Sequence, residues 1–326
     1  MCVSCLANSS HVSIGTNKIG WRHLVSTLKR RRHLQRVKGG TNHQIYRHSD
    51  LIFRFSHSET NAIAVQLREA ELLESLGLPL TPTPVWYGMV GHGRNHYAVS
   101  IYPQIPGNPL GATWPSLRPR VQRGILTQLC EFLRSLHGVV QNSFWDLLED
   151  RPFRTFGDLL EARVQQYAEM LRMSSHVSRQ DYVPLVREVT KHSAVFRNET
   201  PVIVHNDLSA FNILVNANRV SGVLDFERSL SGPQQWEVFR LLYFQACALI
   251  DDQENREELA FTSDFLQAVR ESYASIFNSK YFDVQYRLAL IVFCLQVLCW
   301  AASHATNKER SLVDARRFVS KLLARQ

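Results

Sequence analysis

The stretch Val202-Ile203-Val204-His205-Asn206-Asp207-Leu208-Ser209-Ala210-Phe211-Asn212-Ile213-Leu214-Val215, then Asn216–Arg219, then Val220-Ser221-Gly222-Val223-Leu224-Asp225-Phe226-Glu227, decides how the rest of the chain is read. Ile213–Val215 and Val220–Leu224 are short β-type runs around a turn-rich tetrad, a pattern that predicts a hairpin. A hairpin returns its end to its start. The expectation is that Asp225 comes back beside Asn212, with Asp207 close to both in the preceding loop.

One Asp and one Asn offering oxygens from neighbouring strand ends suit magnesium, which takes few protein ligands and fills its octahedron with phosphate and water. Asp207 is then placed to orient a hydroxyl and accept its proton during phosphoryl transfer. With each residue type at about a twentieth, His205, Asp207, Asn212 and Asp225 coincide by chance in roughly two chains per thousand of this length. Accident is therefore a poor account of the pattern.

Working outward, apolar periodicity predicts helices at 156–173, 180–195, 234–250, 256–277, 283–303 and 308–324, and another from Val121 to Leu136 with Gly138 as its stop. The run Leu288–Ala302 is apolar but short for a bilayer span, and it reads as a buried helix rather than a membrane segment. Nearer the start, Leu34–Lys38, His43–His48, Leu51–Phe55, Val85–Val90 and His96–Tyr102 read as strands, with a helix at Glu59–Leu76. Ser56 and Glu59 suggest a capping box for that helix, and Gly77 its stop. The outline is α+β and bilobal. Residues 34–103 form a small five-stranded antiparallel lobe with one helix, 104–326 form a larger mainly helical lobe, and 1–33 precede both.

The chain has 326 residues, 45% of them hydrophobic, which is ordinary for a globular protein. Its formal charge of +8 suggests nucleic acid until it is located: residues 1–49 hold nine Lys/Arg and no acid, leaving 28 basic against 29 acidic residues elsewhere. No basic stripe covers the body, so no nucleic-acid partner is expected. The basic leader, centred on Lys29–Arg32, reads as a solvated tail or a first helix, with organellar targeting as the sharper alternative. Six cysteines at 2, 5, 130, 247, 294 and 299 have no disulfide-framework spacing, which fits a reducing, cytoplasmic setting.

H-N-D-x-x-x-x-N, a hairpin and D-F-E together resemble the catalytic and metal-binding segments of the aminoglycoside phosphotransferase and choline kinase group, a family with the protein-kinase-like fold. The resemblance implies an ATP- or GTP-dependent, magnesium-dependent kinase acting on a small-molecule alcohol. Within it, Asp207 is the catalytic carboxylate, Asn212 and Asp225 hold the metal, and His205 and Glu227 support them. Gly39, Gly40 and Thr41 resemble the nucleotide loop. Arg54 stands where the family commonly has a phosphate-binding lysine, and no lysine occurs between Lys38 and Lys191. Glu69 matches its acidic partner. Backbone groups of Ser100, Ile101 and Tyr102 would meet adenine, and Trp236–Phe239 resembles the helix under the catalytic loop.

An aminoglycoside acceptor would call for carboxylates, and Asp146, Glu149, Asp150, Asp251, Asp252 and Glu254 are the candidates. Choline-, thiamine-, homoserine- and macrolide-type acceptors stay open at this point, as does a nucleotide-binding scaffold without activity. A protein kinase is disfavoured, since only about ten residues separate Asp225 from the next helix, too few for an activation segment.

Overall fold

The computed structural model describes residues 35–37, 43–56, 60–92, 95–148, 151–174, 177–250, 256–304 and 308–324. In chain order its strands are β1 (Gln35–Arg36), β2 (His43–His48), β3 (Leu51–Ser56), β4 (Trp86–His92), β5 (Asn95–Pro103), β6 (Asn108–Pro109), β7 (Trp145–Asp146), β8 (Val202–Val204), β9 (Ile213–Asn216), β10 (Arg219–Val223) and β11 (Leu230–Gly232). The α-helices are α1 (Thr60–Leu76), α2 (Pro119–His137), α3 (Phe156–Met173), α4 (Arg179–His192), α5 (Gln235–Ile250), α6 (Arg256–Ser272), α7 (Phe282–His304) and α8 (Lys308–Leu323). Two compact units result: Met1–Gly107 with Leu214–Glu227, and Asn108–Ile213 with Arg228–Gln326.

The first unit is built on an antiparallel sheet of order β1-β2-β3-β5-β4. Period-two alternation along β3 sends Phe53 and Phe55 into a core with Trp86, Val90, Val99 and Ile101, and turns Arg54 to the other face. Helix α1 covers that other face. Its Gln66 donates Nε2 to the Arg54 carbonyl and to Ser100 Oγ, both at 2.8 Å. The helix stops at Gly77, whose φ of 55° is the left-handed conformation of a helix end. Ser56 does not cap α1: it ends β3, and its Oγ accepts the Ala98 N–H at 2.9 Å.

The expected hairpin is present as β9 and β10. Ala217 and Asn218 at its tip have φ of 47° and 63°, the paired positive values of a two-residue turn that matches strand twist. The Val223 N–H donates to the Leu80 carbonyl at 2.8 Å, joining the returning segment to the loop after α1. Gly107 lies against the same segment, and a Cβ there would stand 2.7 Å from Ser221 Oγ and 2.8 Å from the Val215 carbonyl oxygen.

The second unit is mainly helical, with one small sheet of order β7-β11-β8. Capping boxes at Thr155/Asp158 and Ser178/Asp181 start α3 and α4. The core is aromatic: Trp236 meets Phe156, Phe293 and Phe196 edge-on at centroid distances of 4.8, 5.4 and 6.1 Å. Within α7, Phe282–Ser303 is long and apolar enough to cross a membrane, but two thirds of that window is buried against the helices and strands of its own unit.

Gly77 and Gly107 separate two costs of adding a side chain. A methyl at Gly77 meets nothing within 4 Å and only strains the backbone, whereas Gly107, at φ 139°, adds a collision. Gly77→Ala should cost about 1–2 kcal/mol and Gly107→Ala clearly more, as measured by urea denaturation. Equal costs would show that the segment 214–227 yields without resistance.

Candidate active site

In the first unit, four charged side chains converge. Arg54 Nη1 donates to Glu69 Oε2 at 2.6 Å, and Nη2 donates to Glu227 Oε2 at 2.9 Å and Asp225 Oδ1 at 3.1 Å. Glu69 is 1% exposed, and its second oxygen accepts the Phe226 N–H at 2.9 Å. One carboxylate therefore fixes both the cation and the backbone between Asp225 and Glu227. Burial alone would lower the Arg54 pKa, but Glu69, Asp225, Tyr102 and Glu227 outweigh it and raise the pKa above its ordinary value. Glu227 Oε2 also meets His43 Nε2 at 2.7 Å. Asp225 has φ 65°, a left-handed geometry that Asp tolerates better than most residues.

In the second unit, β8 delivers the loop His205–Asn212. Buried Glu237, on the first turn of α5, accepts the His205 N–H at 2.8 Å and the Asn206 N–H at 3.2 Å. Asn206, at φ 61°, returns its Nδ2 to the Arg228 carbonyl at 3.0 Å. The Asp207 N–H donates to His205 Nδ1 at 3.2 Å, so a neutral His205 ring carries its proton on Nε2. Asn212 Nδ2 donates to the Asp207 carbonyl at 2.8 Å.

With its backbone held in this way, Asp207 keeps a lightly engaged carboxylate. Asn212 Nδ2 is 3.5 Å from Oδ2, Arg228 Nε is 3.8 Å from Oδ2, and Arg240 Nη2 is 4.0 Å from Oδ1. Burial pushes the Glu237 carboxyl up to about 7, opposed by the two N–H donors and reinforced by Asp207.

Several expected positions are placed differently. Asp146 is buried in an ion pair with Arg163 and accepts the Leu148 N–H at 2.7 Å, so its carboxylate serves the helical unit rather than a ligand. Strand β5 lies between β3 and β4, and Ser100 and Ile101 pair with Arg54 and Phe53 on one side and Tyr87 and Trp86 on the other. Tyr102 pairs with Ile52. The sheet thus claims the backbone expected to meet adenine. Gly39, Gly40, Thr41, Glu149, Asp150, Asp251, Asp252 and Glu254 lie outside the described residues.

Four residues of these clusters carried no assigned role in the sequence reading: His43, Arg228, Glu237 and Arg240. The signal for Glu237 was its place in the helix expected under the loop, but no spacing rule selects which side chain reaches a backbone N–H. The stretch after Asp225 is occupied by β11, which pairs with β7 and β8 before α5 begins, so no activation segment intervenes.

The sequence profile of the phosphotransferase enzyme family, APH, matches residues 33–273. No curated protein sequence matches the chain. Among solved structures, aminoglycoside phosphotransferase APH(4)-Ia is similar at 12% identity, with 93% of this chain and 97% of that one covered and a TM-score of 0.67. ADP-bound APH(2'')-Ib is similar at 17% identity over 93% and 98% of the two chains, with a TM-score of 0.61. The streptomycin–ATP–APH(2'')-IIa complex is similar at 17% identity over 96% and 97%, also with a TM-score of 0.61. At these identities the likeness establishes a shared kinase-like α+β fold.

Glu237 yields a prediction about pH. Its folded pKa of about 7 stands above its ordinary 4.5, so between those values the folded chain binds more protons than the unfolded one. Stability then falls as pH rises through that window, by about 3 kcal/mol from this group, and is constant in it below and above. Glu237→Gln should remove that part of the slope in urea denaturation at pH 4.5 to 7.5. Parallel pH profiles for wild type and variant would mean that Glu237 ionises normally.

Proposed function

The chain belongs to the phosphotransferase enzyme family and is a small-molecule kinase with a hydroxyl acceptor, and we propose that it uses ATP with magnesium and takes the acceptor's proton on Asp207. The observation that carries this reading is the state of that carboxylate. Its loop is fixed through backbone groups, while among the described residues its own oxygens have no donor closer than 3.5 Å. A base held in place with its lone pairs open is what an incoming hydroxyl requires.

Asn212 fits a hard cation for a related reason. Its Nδ2 is committed to the Asp207 carbonyl, so the amide offers its oxygen. Asp225, with a side chain 37% exposed, supplies a carboxylate. By the resemblance of H-N-D-x-x-x-x-N and D-F-E to the family's metal-binding segments, each would supply an oxygen to magnesium, whose charge would offset that of the nucleotide phosphates. Arg54, fixed by Glu69, is the protein's own cation for those phosphates. Arginine keeps its charge in such a carboxylate-rich setting and presents several donors where a lysine presents one ammonium.

In the transfer, the acceptor O–H bond breaks as its proton moves to Asp207, and the freed electron pair forms the bond to the γ-phosphorus. The bond from that phosphorus to the bridging oxygen breaks, and ADP leaves with its electrons. Positioning and charge neutralisation supply most of the rate.

Asp207→Asn should lower kcat by about 10²–10⁴-fold while leaving magnesium-dependent nucleotide affinity nearly unchanged. Asp225→Asn should weaken nucleotide binding in magnesium and have little effect in EDTA. Calorimetric titration with a non-hydrolysable ATP analogue, beside steady-state assays, separates the two. The opposite pattern would mean that the roles are exchanged.

A further inference from the structure

We infer that the acceptor is an alcohol bearing an acid group, a carboxylate or phosphate near its hydroxyl, and that Arg228 and Arg240 receive that group beside Asp207; this rests on the kinase reading above. Two guanidinium groups face the one carboxylate, Arg228 Nε at 3.8 Å and Arg240 Nη2 at 4.0 Å. Both distances allow attraction but lie outside hydrogen-bond length. Among the described residues neither guanidinium pairs with another carboxylate.

Arg240 is the more telling of the two. It is 6% exposed and packs over the rings of Tyr243, Phe244 and Phe293 at 5.1, 4.9 and 4.8 Å, and its Nε is buried with no hydrogen-bond partner. A buried guanidinium with unused donors, adjacent to the catalytic carboxylate, is a poor structural element and a good receptor for an anion. Burial lowers its pKa and the Asp207 carboxylate works against that shift.

The neighbouring acids do not remove the imbalance. Glu237 is engaged by the His205 and Asn206 N–H groups, and Asp146 neutralises Arg163. The field of Arg163, Arg228 and Arg240 also reaches the Tyr167 phenol. A polycationic acceptor would bring ammonium groups against this surplus, whereas a hydroxy acid would satisfy it and place its hydroxyl at Asp207.

The test uses the full chain and matched acceptors that differ in charge: glycerol, glycerate, glycerol 3-phosphate, choline and kanamycin. Calorimetry gives affinities without requiring turnover, and coupled ADP release gives kcat and KM. Glycerate or glycerol 3-phosphate should bind about tenfold or more tightly than glycerol. Arg228→Gln, at a side chain 35% exposed, should erase that preference by raising KM for the acid at least about tenfold more than KM for glycerol. Arg228→Lys should recover part of it, since charge returns without the planar fork. Tighter binding of kanamycin or choline, no discrimination between acid and neutral alcohol, or an Arg228→Gln loss confined to kcat and equal for all acceptors would overturn the inference. Each of those results leaves the kinase reading standing. That reading fails separately, if Asp207→Asn retains full transfer.

Discussion

The carboxylate of Glu69 is the fixed point of the first unit. Almost wholly out of water, it holds Arg54 with one oxygen and the Phe226 N–H with the other. A charge buried to this degree is tolerable only when it is paired and hydrogen-bonded, and removing one partner of such a pair typically costs about 3–5 kcal/mol. Helix α1, strand β3 and the 225–227 segment are therefore tied by a single group. Gln66, one turn earlier on α1, repeats the device with neutral chemistry, joining the Arg54 carbonyl to Ser100.

The second unit uses the same solution. Glu237 on α5 holds the loop that carries Asp207 by accepting two consecutive backbone N–H groups. A helix-borne glutamate thus holds backbone in each functional segment, and Glu69 binds the Arg54 guanidinium as well. The difference lies in compensation. Glu69 has a guanidinium partner, whereas Glu237 has dipoles and a more distant Arg240, and burial moves its ionisation towards neutrality.

Much of this arrangement is legible in the sequence. Long periodic segments give their helices to within a few residues, the turn chemistry of 216–219 gives the hairpin, and Glu69, Asp225 and Glu227, each singled out from the resemblance, lie around Arg54. The reading falters where local pattern underdetermines partners. Two-residue strands such as β7 carry no alternation. Ser56 has the composition of a helix cap but is claimed by the Ala98 N–H across the sheet. The resemblance implies that the backbone of Ser100–Tyr102 meets adenine, but sequence shows a run of β-formers and not its neighbours, and β5 lies between β3 and β4. His43 and Arg240 were invisible for the same reason: Glu227 and Asp207 lie 184 and 33 residues away along the chain, and no periodicity spans such distances.

Among the described residues, the two clusters differ in the sign of the charge that predominates. Around Arg54, three carboxylates face one guanidinium and one histidine. Around Asp207, two guanidinium groups face one carboxylate. Uncompensated charge in a half-buried site is unfavourable, and it persists where a ligand of opposite sign completes the set. The first excess suits a divalent cation and the second an anion. A magnesium-bound nucleotide, as proposed above, would answer the first, with Arg54 as the cation facing its phosphates. The second is not answered by a metal, and neither is it answered by an amine-rich acceptor. Charge therefore restricts the acceptor more tightly than the fold does, because one scaffold can host sites of different chemistry.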